Sequence, residues 1–166
     1  SEDSIILSAD YSQIELRIMA HFSNEPELVK AFNNDLDIHT RTAALVYSVK
    51  ESEVSSDQRR AAKVVNFGIM YGAGPFRMSK ELGISMKEAK VLIDTYFATY
   101  PGIQKYIQET IEEAHLRGYV NTLNGRKRYT QSLGSNNNVT DDYDIIYCKL
   151  QYAILNVILL HVCEDN

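Results

Sequence analysis

The 166-residue sequence has few cysteines, no long apolar run and no excess of positive charge. Its two cysteines, Cys148 and Cys163, are too few for a disulfide framework or for a zinc site made of thiolates alone. We expect both to be buried, reduced thiols of a cytoplasmic protein. No apolar run reaches the roughly 18 residues that cross a bilayer, and the N-terminus lacks a secretory pattern. These absences argue against a membrane protein, a small disulfide scaffold and a zinc finger.

The charge is unevenly distributed along the chain. The net charge of −5 does not indicate a nucleic-acid-binding protein as a whole. Residues 130–166 hold one of the 17 basic and five of the 22 acidic residues, so the acidity is concentrated there. Two basic clusters stand out in the near-neutral remainder, at Arg59, Arg60 and Lys63 and at 126–128.

The hydrophobic pattern predicts a mostly helical, α+β chain with a few strands. We expect a strand at 4–9 and a hairpin at 119–130 around an Asn-Gly turn. Helices are predicted at 13–22, 26–33, 38–47, from 55 or 56 to about 71, to 82, and from 86 to 117 with an interruption at Pro101. The apolar segment 145–162 is expected to be helical, although its periodicity is ambiguous.

The helix that contains the first basic cluster has two distinct faces. With about 100° per residue, one arc holds Arg59, Lys63, Asn66, Phe67 and Met70, and the opposite side holds Ala61, Val64, Val65 and Gly68. A polyphosphate would fit along Arg59 and Lys63, with a base or sugar against Phe67 and then Tyr71. The alternative is a solvated basic helix with Phe67 packed into a neighbour. We interpret the glycines at 72 and 74 as a helix end.

An acidic residue follows the first predicted strand. Asp10 would emerge at the strand end, a position that often holds a metal ligand, and Glu15 follows in the next helix. One carboxylate does not make a metal site. On these residues alone, Asp10 as a turn cap and Glu15 as a surface residue is the favoured interpretation.

Two longer motifs resemble those of the family A DNA polymerases. The stretch Asp10-Tyr-Ser-Gln-Ile-Glu-Leu-Arg17 resembles their motif A. The stretch Arg59-Arg-Ala-Ala-Lys63-Val-Val-Asn-Phe67-Gly-Ile-Met-Tyr71-Gly72 resembles motif B, the fingers helix. Segments at 37–39, 96–102 and 118–126 are similar to the intervening family sequence. The order and spacing agree across about residues 4–130.

The resemblance implies a catalytic centre with magnesium. Asp10 would be one of two catalytic aspartates that bind paired Mg²⁺ ions, with the Tyr11 carbonyl as a further ligand. Lys63 would be both catalytic and nucleotide-binding, and Glu15 would exclude a 2′-hydroxyl.

The same resemblance implies a nucleotide site and a template contact. Arg59, Lys63 and His39 would hold the triphosphate, and Phe67 would lie against the sugar and base and disfavour dideoxynucleotides. Tyr71 would bind nucleotide and, with Gly72, template. Gln13 also matches a nucleotide-binding position, and Arg17 matches a motif position without a defined role. The fingers helix would rotate to close on a correct nucleotide.

The resemblance also implies a domain layout: a palm strand with motif A at 1–22, helical fingers at 23–118, a hairpin returning to the palm at 119–130, and an unassigned divergent tail at 131–166. The family's motif C, with its His-Asp-Glu triplet, is not recognisable; His161-Val-Cys-Glu164-Asp165 has the wrong order. With one metal aspartate and no thumb, the isolated chain is expected to extend a primer poorly or not at all.

The functional prediction is a piece of a template-directed DNA polymerase of replication or repair. Its expected partners are primer-template DNA, deoxynucleoside triphosphates and the rest of the polymerase chain, in the cytoplasm and without a membrane. Two alternatives stay open: a non-catalytic nucleotide- or DNA-binding module, and a helical interaction domain with solvated basic clusters. Steeply salt-dependent DNA binding would argue against the last.

Overall fold

A computed structural model describes residues 12–122 and 125–130 of the chain. Seven α-helices, a short 3₁₀ helix and a two-stranded sheet make up this described part, which confirms the mostly helical prediction. The helices are α1 (Ile14–Ser23), α2 (Pro26–Asn33), α3 (Ile38–Tyr47), α4 (Ser56–Met70), α5 (Pro75–Leu82), α6 (Met86–Thr99) and α7 (Pro101–Arg117), with the 3₁₀ turn at Glu51–Glu53 between α3 and α4.

The starts of the helices are set by side chains that accept hydrogen bonds from the first backbone N–H groups. Asp37 accepts from the His39 amide and begins α3. Ser55, rather than Ser56, caps α4 in a reciprocal pair with Gln58, and Ser85 caps α6 with Glu88. These contacts explain why the predicted starts agree with the structure.

The break between α6 and α7 is tied to the start of α2. α6 ends at Thr99 and α7 begins at Pro101, as the proline predicted. The Gly102 amide donates to Oε2 of Glu25 at 2.7 Å, and Glu25 is itself the N-cap of α2. A buried carboxylate therefore joins the N-terminal ends of two helices, where their dipoles favour negative charge.

The main apolar core lies among the helices. Its largest fully buried side chains are Tyr96, Tyr100, Leu16, Met19, Leu28, Ile38, Met70, Met78, Ile103 and Val65. α3 packs on α4, and α1 packs on α2 and α7. This core fixes α3 and α4 side by side.

The predicted hairpin is present as strands β1 (Tyr119–Asn121) and β2 (Lys127–Tyr129), which pair antiparallel with Tyr119 opposite Tyr129. Gly118 ends α7 in the left-handed conformation, with φ of 71°. The predicted strand at 4–9, the apolar segment 145–162 and both cysteines lie outside the described residues. Among the residues that are described, no helix is long and apolar enough to cross a membrane.

Candidate functional site

The exposed stripe of α4 is the first component of the candidate site. Arg59, Lys63, Phe67 and Tyr71 follow one another at four-residue intervals, so they lie along one side of the helix. Arg59 and Lys63 are exposed, Phe67 is half-buried, and Tyr71 is 38% exposed. The stripe therefore presents two cations and then two aromatic rings.

Arg59 is held by an acid at the start of α3. Its Nε donates to Oδ2 of Asp37 at 2.7 Å, and its Nη2 donates to Oδ1 at 3.2 Å. Partial burial opposes ionisation of Asp37, but hydrogen bonds from Arg59, Thr40 and His39 outweigh it and lower the pKa of this carboxyl to about 2. The hydrogen bond to Asp37 in turn raises the pKa of Arg59. At neutral pH both groups are charged.

His39 is a buried residue of α3, two residues after Asp37. Its residue surface is only 3% exposed, and burial lowers the pKa of the imidazole. The negative charge of Asp37 opposes that shift, and the positive charges of Arg59 and Lys63 add to it. The ring is therefore neutral at physiological pH. Because Asn66 Nδ2 donates to His39 Nδ1 at 3.1 Å, the imidazole proton is on Nε2.

Asn66 belongs to a buried polar network that links α3, α4 and the junction between α6 and α7. Thr42 Oγ1 lies 3.3 Å from Asn66 Nδ2 and 2.9 Å from the hydroxyl of Tyr100, which follows α6. Burial raises the pKa of Tyr100 to about 12, against the lowering effect of its hydrogen bond with Thr42. The network thus stays uncharged and fixes α4 against α3.

Three aromatic rings form a row: His39 on α3, then Phe67 and Tyr71 at the end of α4. The His39 and Phe67 ring centroids are 5.9 Å apart with planes at 45°, and those of Phe67 and Tyr71 are 6.4 Å apart with planes at 15°. Phe67 also packs against the apolar core. The ring is therefore held in place while part of its surface stays accessible for stacking.

The sequence-based assignment of the faces of α4 was wrong in part. Asn66 and Met70, placed on the ligand-binding arc, are 0% and 1% exposed. The buried residues of α4 are instead Ala62, Val65, Asn66, Ile69 and Met70. A helical wheel assumes one exposed direction along the whole helix, but α4 is open at its start and enclosed by the core towards its end. Asn66 can be buried because α3 supplies its hydrogen-bond partners.

The motif A residues that the structure describes lie on or next to α1. Gln13 precedes α1 in a left-handed conformation, and both Gln13 and Glu15 are half-buried. Arg17 donates from Nε to the Ser12 carbonyl at 3.1 Å and lies 4.7 Å above the Phe32 ring. Among the described residues, no hydrogen bond or ring contact joins Gln13 or Glu15 to His39, Arg59, Lys63 or Phe67.

The expected metal ligands, Asp10 and Tyr11, lie outside the described residues. Within 12–122 and 125–130, no three His, Cys, Asp or Glu side chains are grouped so as to hold a metal ion.

Gly72, the expected template contact, has a positive φ of 68° directly after the end of α4. It is therefore a helix terminator, as the sequence indicated.

Sequence reasoning missed the second layer of the site. The sequence analysis included Asp37 only in the family-like segment 37–39, without a role in the site, and did not single out Thr42 and Tyr100. Thr42 lies three residues after His39 and so on the same face of α3, which is a usable signal. The contact with Tyr100 joins residues 58 positions apart and has no local signal.

A comparison with models of known protein families identifies the family of this chain. Residues 1–145 match the family model of DNA polymerase family A, and the chain belongs to that family. The match extends beyond residue 130, where the motif resemblance ends.

Relatives of high identity carry the same name. DNA polymerase I of Deinococcus radiodurans is 51% identical over 134 residues, which are 81% of this chain and 14% of the relative. DNA polymerase I of Bacillus subtilis is 48% identical over 136 residues, 82% of this chain and 16% of that protein. The chain therefore spans only a small part of the length of the relatives it matches.

A solved structure has the same fold. The POL domain of Pol1 from M. smegmatis, in complex with DNA primer-template and dNTP, superposes with a TM-score of 0.83 at 36% identity. The superposition covers 90% of this chain and 27% of that one.

Proposed function

We propose that this chain supplies the nucleotide-binding face of a template-directed DNA polymerase. The observation that carries the proposal is the α4 stripe, in which two exposed cations are followed by two aromatic rings in a chain of the polymerase family. An incoming deoxynucleoside triphosphate has the same order of chemical groups: phosphates, then sugar and base.

The triphosphate is bound by the start of the stripe. Lys63 offers an exposed ammonium, and Arg59 offers an exposed guanidinium one turn earlier. Charge-assisted hydrogen bonds from guanidinium and ammonium groups to phosphate oxygens are strong. Lys63 has a catalytic role because its charge stabilises the negative charge that develops as the phosphoryl group is transferred. His39 has its imidazole proton on Nε2, and this neutral N–H is the donor that it would add to the triphosphate site.

The sugar and base are bound further along α4. Phe67 offers a supported ring to the sugar and base, and Tyr71 stacks at the templating position beside Gly72. Glu15 and Gln13, at the start of α1, complete the nucleotide site, with Glu15 excluding a 2′-hydroxyl. The rings of Phe67 and Tyr71 are nearly parallel, which suits stacking with flat bases.

Magnesium would be held by the Asp10 carboxylate and the Tyr11 carbonyl. Both are hard oxygen donors of the kind that Mg²⁺ prefers. When bound, the metal supplies Lewis acidity that favours ionisation of the primer 3′-hydroxyl and neutralises phosphate charge. The described residues contribute the separate task of holding the triphosphate and the base in line.

The partners follow from the family. The M. smegmatis neighbour was solved with primer-template DNA and dNTP, which supports the same partners for this chain. In this scheme residues 23–118 are the fingers, residues 1–22 and 119–130 belong to the palm, and 131–166 stay unassigned. The rest of a polymerase chain completes the centre, and a bacterial enzyme of this type acts on DNA in the cytoplasm.

Nucleotide binding by paired variants tests the proposal. Titration of the chain with a fluorescent dATP analogue and Mg²⁺ should give a dissociation constant that rises about tenfold in Lys63→Ala, the loss of one charge-assisted contact. Arg60→Ala is the matched control, because Arg60 is an exposed cation of α4 off the stripe, beside Tyr47 and Leu82. Equal affinities of Lys63→Ala and the unaltered chain would overturn the proposal.

A further inference from the structure

We propose that Asp37 is a positioning residue for the bound nucleotide. It accepts hydrogen bonds from one edge of the Arg59 guanidinium and thereby orients the other edge towards the phosphates. This inference rests on the proposed function. It gives Asp37 a role in addition to its role as the N-cap of α3.

The guanidinium geometry is the first argument. Arg59 uses Nε and Nη2 to bind the two carboxylate oxygens of Asp37, at 2.7 and 3.2 Å. This is the side-on edge of the group. A guanidinium has five N–H donors, so three remain: both on Nη1 and one on Nη2. One N–H from each of these two nitrogens forms the end-on fork, which matches two phosphate oxygens.

The rigidity of Asp37 is the second argument. Oδ1 also accepts from the His39 amide at 3.2 Å, and Oδ2 accepts from the Thr40 hydroxyl at 2.6 Å. Four hydrogen bonds therefore fix the carboxylate at the first turn of α3. Because these hydrogen bonds hold the carboxylate, it fixes the plane of the long and half-exposed Arg59 side chain. Ordering that side chain before binding removes an entropy cost that a ligand would otherwise meet.

The charge of Asp37 acts in the opposite direction. A carboxylate beside Arg59 weakens the attraction for a triphosphate, so its removal would strengthen binding if electrostatics decided the outcome. The Arg59 and Asp37 side chains are 47% and 38% exposed to solvent, where screening reduces such effects. Orientation is therefore the larger contribution, and loss of Asp37 should weaken nucleotide binding roughly three- to tenfold.

The test separates capping, charge and orientation. Asp37→Ser keeps a good N-cap for α3 but removes the partner of Arg59. Asp57→Asn is the charge control, because it removes one exposed carboxylate from the first turn of α4 without a hydrogen bond to Arg59. The affinity for the fluorescent dATP analogue is measured in the 166-residue chain for these two variants. It is also measured for Arg59→Ala and for the Asp37→Ser/Arg59→Ala double variant.

The expected result is a three- to tenfold weaker affinity in Asp37→Ser, little change in Asp57→Asn, and no further loss when Asp37→Ser is added to Arg59→Ala. Unchanged or tighter binding by Asp37→Ser, while Arg59→Ala weakens binding, would overturn the inference and leave the proposed function standing. An equal loss with and without Arg59 would show a merely structural effect and overturn it as well. If Arg59→Ala itself has no effect, the proposed role of Arg59 fails and the inference fails with it.

Discussion

Asn66 Nδ2 lies 3.1 Å from His39 Nδ1, in the interior between the helix of the predicted phosphate ligands and its neighbour α3. This contact joins a fully buried amide to a ring that senses the charges of Asp37, Arg59 and Lys63. The buried polar network therefore holds α4 against α3 and in this way sets the position of the exposed side chains of the stripe.

Replacement of Asn66 by leucine should destabilise the chain. Leucine has a similar size but leaves His39 Nδ1 without its buried donor, which costs about 1–3 kcal/mol of unfolding free energy. Urea denaturation followed by circular dichroism measures the change. Asn33→Leu, at an exposed position in the last turn of α2, serves as the control and should change stability by less than about 0.5 kcal/mol. Equal stabilities of the two variants would contradict the role assigned to Asn66.

The sequence was sufficient for the helices because their boundaries are encoded locally. Asp37, Ser55 and Ser85 cap the helices that follow them, and Pro101 separates α6 from α7. Each of these signals acts within about four residues, so no knowledge of packing is needed to recognise it.

Burial along α4 was less predictable because it depends on partners far away in the chain. Lys63 and Asn66 lie on similar azimuths, yet one is exposed and the other is enclosed. What buries Asn66 is the presence of His39 and Thr42 on α3, more than twenty residues earlier. Periodicity carries no information on such contacts, and a buried polar residue appears on a helical wheel as an exposed one.

Stability at low pH should report the Asp37–Arg59 pair. The pKa of Asp37 is lowered from 3.8 to about 2 in the folded chain, so the carboxylate stabilises the fold fully above 3.8. That contribution is lost as the pH falls from 3.8 through 2, because the unfolded chain takes up the proton first. Since the pair is more than one third exposed, we expect about 1 kcal/mol.

The measurement is the difference in unfolding free energy between the unaltered chain and Asp37→Asn as a function of pH. The difference should be constant from neutral pH down to about 5 and should shrink towards pH 2. A difference that grows on acidification would have the wrong sign for a lowered pKa.

Gly102 should tolerate no side chain. A Cβ there would lie 2.7 Å from Glu25 Oε2, 3.2 Å from the Ser23 carbonyl and 3.3 Å from Glu25 Cα, so backbone as well as side chain would have to move. We expect Gly102→Ala to lower the unfolding free energy by about 1–3 kcal/mol. Gln104→Ala is the control, since Gln104 is an exposed position of the same helix, two residues further on. Thermal unfolding of the two variants decides the matter: similar midpoints would show that the carboxylate between α2 and α7 is not tightly packed.

Phe67 should contribute to nucleotide affinity through its ring rather than through its apolar volume. Phe67→Leu keeps most of the contact with the core but removes the flat face beside Tyr71. Stacking of a base on an aromatic ring contributes about 1–3 kcal/mol, so the dissociation constant for the fluorescent dATP analogue should rise at least about fivefold. Phe76→Leu is the matched control, because Phe76 is a 59% exposed ring on α5, outside the stripe. The same change in affinity for both variants would show that the loss is not local to α4, and unchanged binding by Phe67→Leu would exclude ring stacking at this position.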